Sequence, residues 1–446
     1  MGARQAATKA IIASATAVLR TADRYITGSS TGASPEELQQ NPYAAFAKMR
    51  ERGRVLRSYM NRGWYVLGFE EAQTAFREPR LSSDLSTNPF LVRTLRAIAN
   101  GARVPTLDDP TLITMDPPDH TRLRKLAARG FIQRHIQALE PKIQHLVDEC
   151  LGRIDGDSVD IVEALAKPLP AIVIAEMLGL PAQDRDQFQA WSNELLNLTQ
   201  LGNPAAMERA VDANVQLLEY LATVVEEKRR SPGQDLISQF ILAEEEGDKL
   251  SAAEIYSTCS LLLIAGHETT TRLISNGLHA LLTHPDQFDK LREDPSLIPN
   301  AIEEMLRYDP PVQWMPRTIT EDFEFFGKQF RKNQLVIVAI AAANRDPAIH
   351  DDPDTFDVAR SEPKHVAFGH GIHLCLGMAL ARLEAKVAFE TLLARYPQMS
   401  LVDQKPAWQV NNFVRGLESL PIHLNGGAPA QLQVVPSQTE PAGALG

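Results

Sequence analysis

Phe368-Gly369-His370-Gly371-Ile372-His373-Leu374-Cys375-Leu376-Gly377 is the stretch on which the reading of this chain turns. Two close glycines permit a tight, partly left-handed loop. The loop delivers Cys375 to the start of a helix, where free backbone N–H groups and the helix dipole favour a thiolate. Gly377 lets that helix approach something flat. A lone cysteine is more often a small buried apolar residue, but the Phe, the three Gly and His373 at fixed offsets weigh against that here. Zinc is a weak alternative, because His373 and Cys375 offer two ligands at most. A dinucleotide loop is weak too, since Gly369-x-Gly371 follows coil and lacks the third glycine.

Working outward, a long helix is expected from Ser251 to His284. It opens on a capping box, Ser251-Ala-Ala-Glu254, and stops at His284-Pro285. At 1.5 Å per residue it spans roughly 50 Å, enough to cross the interior. Ala265 and Thr269 share a face, with Leu262 one turn earlier. Gly266 costs helix stability, roughly 1 kcal/mol against Ala, which suggests close approach of a ligand. Glu268 and Thr269 form an acid–alcohol pair. Read alone, Glu268 pairs with Arg272 at i+4 and Thr269 bonds back to its own helix. His267-Glu268 is no zinc-protease motif, because position 271 is Thr. A second charged pair, Glu304 and Arg307, lies at i and i+3.

The rest of the chain is mostly helical in pattern. Early strands are expected at 55–59 and 64–67, with a turn at Arg62-Gly63, and a later one at 334–341. A last long helix runs from Leu376 to Arg395. Residues 83–114 read as a long loop with helical turns over 91–100. Residues 1–34 form a lead that is partly disordered or loosely helical, 35–424 a single domain, and 425–446 a disordered tail. The formal net charge of −11 argues against nucleic acid as a partner. No run of 18 apolar residues is present, so no membrane helix is expected. Cys150, Cys259 and Cys375 are too dispersed for a disulfide framework, which suits a reducing, cytoplasmic setting.

With these residues in view, the chain resembles the cytochrome P450 superfamily, in its soluble bacterial form. The cysteine stretch matches the FGxGxHxCxG signature without departure, and the similarity runs from about Pro35 to Leu424. The resemblance implies a mainly α fold with a smaller β region, a helical triangular prism. It implies haem b with Cys375 as axial ligand, the thiolate favouring O–O cleavage. Phe368, Gly369, Gly377, Ala265 and Gly266 would contact the haem. His120, Arg124, Arg317 and His373 match propionate contacts. Glu268 and Thr269 become the catalytic pair, the first relaying protons from solvent and the second hydrogen-bonding dioxygen or its water. Glu304, Arg307 and Arg360 become a structural network. By position, Phe90, Leu91, Leu95, Leu262, Ala265, Val312, Trp314, Phe413 and Val414 line the substrate pocket.

The implied reaction is hydroxylation or epoxidation of an apolar small molecule with O2. Terpenoid, steroid, fatty-acid and polyketide-like substrates all fit. No nicotinamide or flavin fingerprint is present, so no bound NAD(P) or flavin is expected, and electrons would come from a ferredoxin or flavodoxin with its reductase. Arg122, Lys125, Arg129 and Lys364 are candidate docking residues. Retention of Glu268-Thr269 argues against a peroxide-driven variant. The alternatives are a non-catalytic haem-binding sensor or ligand-binding protein, and an all-α protein with no cofactor.

Overall fold

Ser251 and Glu254 cap each other's backbone: Glu254 N–H donates to Ser251 Oγ (3.2 Å) and Ser251 N–H to Glu254 Oε2 (2.8 Å). This starts the helix Ala252–Thr283, hereafter the long helix, which ends where His284 precedes Pro285. The computed structural model describes residues 22–28, 35–98, 104–108, 110–195, 204–245, 251–403, 406–409 and 413–425. Most of the lead and the tail expected at 1–34 and 425–446 therefore lies outside the described residues. Residues 22–28 do not: Asp23 is buried and accepts from Ser58 Oγ, Tyr59 N–H and Met60 N–H, which fastens this turn to the first hairpin.

The chain is mainly helical, with a smaller β region. Pro168–Leu178 is apolar around most of its circumference and packs against the long helix, as a helix without a polar face must. On another side of the long helix lies Met378–Arg395. Leu273, Ile274, Leu278 and Leu281 join Leu165, Leu169, Phe389 and Leu392 in one buried cluster.

The main sheet has five strands: β1 Val55–Ser58, β2 Gly63–Val66, β3 Leu81–Ser82, β4 Met315–Ile319 and β5 Leu335–Val338. Their order is β1-β2-β5-β4-β3. β1 and β2 form the expected hairpin, Val55 opposite Val66, with Arg62 at φ +48° in the turn. β2 and β5 run parallel, Trp64 beside Val336. The strand expected over 334–341 stops at Val338, and Ile340–Ala343 forms a helical turn instead. The three alanines favour that outcome. The long loop expected over 83–114 contains a full helix, Pro89–Ile98. A small sheet, with Pro421–His423 between Ser158–Asp160 and Ser400–Leu401, brings the end of the chain onto the middle.

Glu384 stands out in this core. It lies on Met378–Arg395, 1 % exposed, and its Oε2 has no hydrogen-bond partner. Burial alone pushes its carboxyl well above the usual 4.5. The unfolded chain then releases this proton at about pH 4.5 while the folded chain keeps it. Stability therefore falls as pH rises above 4.5, by up to ~1.4 kcal/mol per pH unit, until the folded carboxyl itself ionises. Glu384→Gln should remove that slope. Urea midpoints of the two proteins should diverge in favour of the variant between about pH 5 and 8, and parallel curves would disprove this reading of Glu384.

Candidate active site

The cysteine loop takes its shape from its glycines. Gly369 and Gly371 both sit at φ +70°, where a side chain is strained. A Cβ at Gly371 would also strike the Phe76 carbonyl. The loop closes on itself through Cys375 N–H to the Phe368 carbonyl (2.8 Å) and Gly369 N–H to the Val366 carbonyl (2.9 Å). The following helix begins at Met378 with Gly377 as its cap, two residues later than the sequence suggested. Burial raises the Cys375 thiol. The Gly377 N–H, and the positive charges of Arg124 and Arg382, pull the other way. With burial ahead, a bare thiol stays protonated until a metal claims it.

Above the loop is a cavity of about 240 Å³. Phe368, Gly369, Cys375 and Gly377 form its floor. Leu262, Ala265, Gly266 and Thr269 of the long helix form the opposite wall, and Val312, Met315 and Arg317 a side. A Cβ at Gly377 would meet nothing within 4 Å, so the space over it is open to a flat group; one at Gly266 would press on Ile174 at 3.3 Å.

The rim is rich in donors and poor in acceptors. His120 is 1 % exposed, and neither ring nitrogen has a partner. Its ring lies 4.2 Å from that of His373, whose Nε2 is also unpartnered. Arg317 is buried, with Nη1 donating only to the neighbouring Pro316 carbonyl (2.8 Å). Arg124 donates to the Leu374 carbonyl. Among the described residues no carboxylate pairs with Arg124 or Arg317. Burial pushes Arg317 down to about 10. Burial, then Arg317, His120 and Arg124, drive His373 down to about 3. Arginines with no carboxylate partner, beside imidazole nitrogens with no hydrogen bond, call for an anionic acceptor. The four side chains along this rim suit a group carrying two carboxylates. A soft sulfur on the floor, open space over Gly377 and a cationic rim are together what haem requires. Among the described residues no three His, Cys, Asp or Glu side chains gather to hold a bare metal ion.

The acid–alcohol pair divides. Thr269 faces the cavity, its hydroxyl donating to the Ala265 carbonyl at 2.7 Å. Glu268 is not on the wall. It is 2 % exposed, and its carboxylate is gripped by Arg272 (Nε at 2.6 Å). One residue along a helix is a rotation of about 100°, so 268 cannot share the 265/269 stripe.

Glu304, Arg307 and Arg360 do meet. Both side chains of the Glu304–Arg307 pair are fully buried (Nε to Oε2, 2.6 Å), and Arg360 Nε reaches Glu304 Oε1 at 3.2 Å.

Of the expected pocket residues, Leu262, Ala265 and Val312 line the cavity. The other six lie elsewhere. Phe90 is 44 % exposed, with the Arg62 guanidinium over its ring at 4.3 Å. Leu91 and Leu95 share its helix and stay off the wall. Trp314 and Phe413 pack on each other (5.1 Å), and Val414 bridges to Val312 from behind. Sequence reasoning missed Phe76, Leu112, Ile113, Ile174 and Leu261, which do line the cavity. Leu261 lies beside Leu262 on the long helix, whereas the other four come from segments distant in sequence and leave no local pattern. Among the docking candidates, Arg122 is engaged by Glu254 and Lys364 by Glu362.

Comparison with known proteins agrees with this geometry. The family described as Cytochrome P450 matches residues 108–417. The vitamin D(3) 25-hydroxylase of Pseudonocardia autotrophica is 41% identical over 391 residues, covering 86% of this chain and 95% of that protein. The 6-deoxyerythronolide B hydroxylase of Saccharopolyspora erythraea is 38% identical over 393 residues, covering 86% and 96%. The crystal structure of a myxobacterial cytochrome P450, CYP267B1, in complex with myristic acid superposes with a TM-score of 0.82 at 37% identity, covering 89% of this chain and all of that one. Among the described residues no helix is long and apolar enough to cross a membrane. A cysteine loop, a cavity and a cationic rim built for haem, on a chain this similar to hydroxylases, leave one assignment: the protein belongs to the cytochrome P450 family and is a haem-dependent monooxygenase.

Proposed function

We propose that the chain binds haem b, with Cys375 as the axial ligand and the propionates met by His120, Arg124, Arg317 and His373. It then hydroxylates or epoxidises an apolar small molecule of fatty-acid, steroid or polyketide type. The observation that carries this is the cluster over Cys375: Arg317 and His373 line the cavity, and His120 lies 4.2 Å from the His373 ring with both of its own nitrogens unpartnered. When bound there, haem supplies O2 activation and insertion of one oxygen atom into a C–H or C=C bond. The chain's own residues do the rest. Leu262, Ala265 and Val312 give an apolar wall that excludes water and seats an apolar substrate. Gly369 and Gly377 keep the floor of the slot thin, with Phe368 beside them and Gly266 on the wall opposite. Thr269 holds a proton at Oγ1 on the cavity side, and Glu268, one residue away, relays protons to it. Glu304, Arg307 and Arg360 hold the loop that carries Cys375. No nicotinamide or flavin motif occurs in the sequence, so a ferredoxin or flavodoxin with its reductase supplies the two electrons, Lys125 and Arg129 being exposed on the helical side next to Arg124. The substrate classes are those of the relatives' names: vitamin D(3), 6-deoxyerythronolide B and myristic acid.

The test is the absorbance of the dithionite-reduced protein under carbon monoxide, followed by NADPH-driven turnover with a ferredoxin and its reductase. A strongly red-shifted Soret band and product that requires NADPH are expected. A haem-free protein after expression with ample haem would end the proposal.

Thr269→Ala separates proton handling from binding. Positioned proton donors contribute about 10²–10⁴-fold. Water can enter the space a methyl leaves, so product formation should fall by the lower end, on the order of 10²-fold. NADPH oxidation should continue, with its electrons collected as hydrogen peroxide. Unchanged product per NADPH would remove Thr269 from the proton path.

A further inference from the structure

The long helix carries Glu268, Arg272 and Asn276 at successive turns, all buried. Arg272 is the centre of the row. Nε and Nη2 both donate to Glu268 Oε1, and Nη1 donates to the Leu417 carbonyl. Its stem lies so close under the chain at Gly416 that a Cβ there would run into Cδ. One turn further, Asn276 Nδ2 donates to the Arg415 carbonyl at 3.1 Å. This face of the helix is thus docked on the segment Phe413–Leu417.

That segment is also the backing of the cavity wall. Gln313 N–H donates to the Phe413 carbonyl (2.9 Å) and Arg415 N–H to the Pro311 carbonyl (2.8 Å). Val312 bridges Val414. Pro311 and Val312 face the cavity on their other side. Arg415 ties the assembly further to Asp309 (3.0 Å). A continuous set of contacts runs from the cavity wall through Phe413–Leu417 to Arg272, and from Arg272 to Glu268.

We propose that Arg272 is a positioning residue that holds the Glu268 carboxylate away from the cavity and gauges its release by the seating of Phe413–Leu417. The inference rests on the reading of Glu268 as a proton relay. A planar guanidinium gripping one carboxylate oxygen with two donors fixes that carboxylate's direction. Glu268 reaches the Thr269 side of the helix only when that grip loosens. The third donor makes the grip depend on the Leu417 carbonyl, and so on whatever displaces Pro311 and Val312 from within the cavity. Arg272 touches neither the cavity nor the cysteine loop, so it acts at a distance, through Glu268 on one side and the Leu417 carbonyl on the other.

Arg272→Lys tests this in the holoenzyme. Lysine keeps a positive charge for Glu268 but has no fork to hold Glu268 and Leu417 together. Amide hydrogen exchange of the resting ferric protein should rise roughly tenfold over 413–417, the effect of losing one charge-assisted hydrogen bond. This readout needs no turnover. NADPH oxidation should then be followed in H2O and D2O, with a surrogate ferredoxin and reductase and with myristic acid as probe. The solvent isotope effect should fall about twofold as the relay is freed, with KM for the probe unchanged. Gly416→Ala, which pushes on Arg272 without altering either charge, should act in the same direction and serves if the lysine variant folds poorly.

Glu268→Gln is the control. If it lowers product per NADPH while Arg272→Lys and Gly416→Ala leave exchange and isotope effect at wild-type values, the restraint is wrong and the relay stands. If Glu268→Gln changes nothing, both fall.

Discussion

Cys375→Ser should abolish the red-shifted Soret band of the reduced carbonyl complex and lower monooxygenation by on the order of 10³-fold or more. The change is nearly isosteric. The loop's own bonds, Cys375 N–H to Phe368 and Gly369 N–H to Val366, are backbone and survive it, so the cavity should persist. What changes is the chemistry of the floor. Burial already raises the Cys375 thiol against the pull of the Gly377 N–H, Arg124 and Arg382. A serine hydroxyl starts far higher still, so burial holds it neutral. A neutral, hard oxygen is a poor ligand where a soft, anionic sulfur is wanted. The rim, with the charges of Arg124 and Arg317 beside His120 and His373, is untouched, and should still draw haem into the slot. The expected protein is therefore coloured and folded but catalytically silent, with an unshifted band. Retention of the red-shifted band in the serine variant would mean that another residue supplies the sulfur, and Cys150 and Cys259 are both buried elsewhere.

The contrast between floor and walls shows what a sequence carries locally. Gly369, Gly371 and Cys375 were legible because two positive-φ glycines, a close approach and a cysteine at a fixed offset fall within seven residues. The long helix was legible for the same reason: its cap, Ser251 with Glu254, and its stop, His284-Pro285, are written at its own ends. The Glu268–Arg272 pair is an i, i+4 contact and could be read, but its anchor at Leu417 could not, being 145 residues away. Ile174 was invisible as a wall residue because its helix is apolar on nearly every side and shows no stripe to orient it. Phe90 was assigned to the pocket only by its position in the resembled family, but Arg62 from the β1–β2 turn covers its ring at the surface. The short strand Leu335–Val338 lost its expected last residues to Ile340–Ala343, where three successive alanines favour a turn of helix.

Arg307→Ala should lower stability by about 3–5 kcal/mol. The usual argument about buried ion pairs counts the partner left behind, here Glu304, which is fully buried. Arg307 carries more than that. Its guanidinium also donates to the carbonyls of Pro353 (2.7 Å), Thr355 (2.9 Å) and Asn344 (3.3 Å). Removing it leaves three backbone acceptors without this donor as well as a charge without its main partner. Arg360 still reaches Glu304 and the Thr355 carbonyl, so the segment is loosened, not released. The segment in question, 344–366, leads straight into the cysteine loop, and Asn344 holds both ends of it: Nδ2 to the Leu306 carbonyl (3.1 Å) and Oδ1 from Val366 N–H (2.8 Å). A loss of this size is a large share of a typical margin of about 5–15 kcal/mol. The variant should therefore be recovered with little haem, read as the ratio of Soret to protein absorbance, and with a much lower urea midpoint. Apolar replacement of both Glu304 and Arg307, which often rescues a buried pair, should fail here, because the Pro353 and Asn344 carbonyls lose the Arg307 donor while Asp357 N–H and Arg360 lose Glu304. Full haem occupancy and an unchanged midpoint in Arg307→Ala would show that Arg360 and the backbone alone suffice to hold the loop.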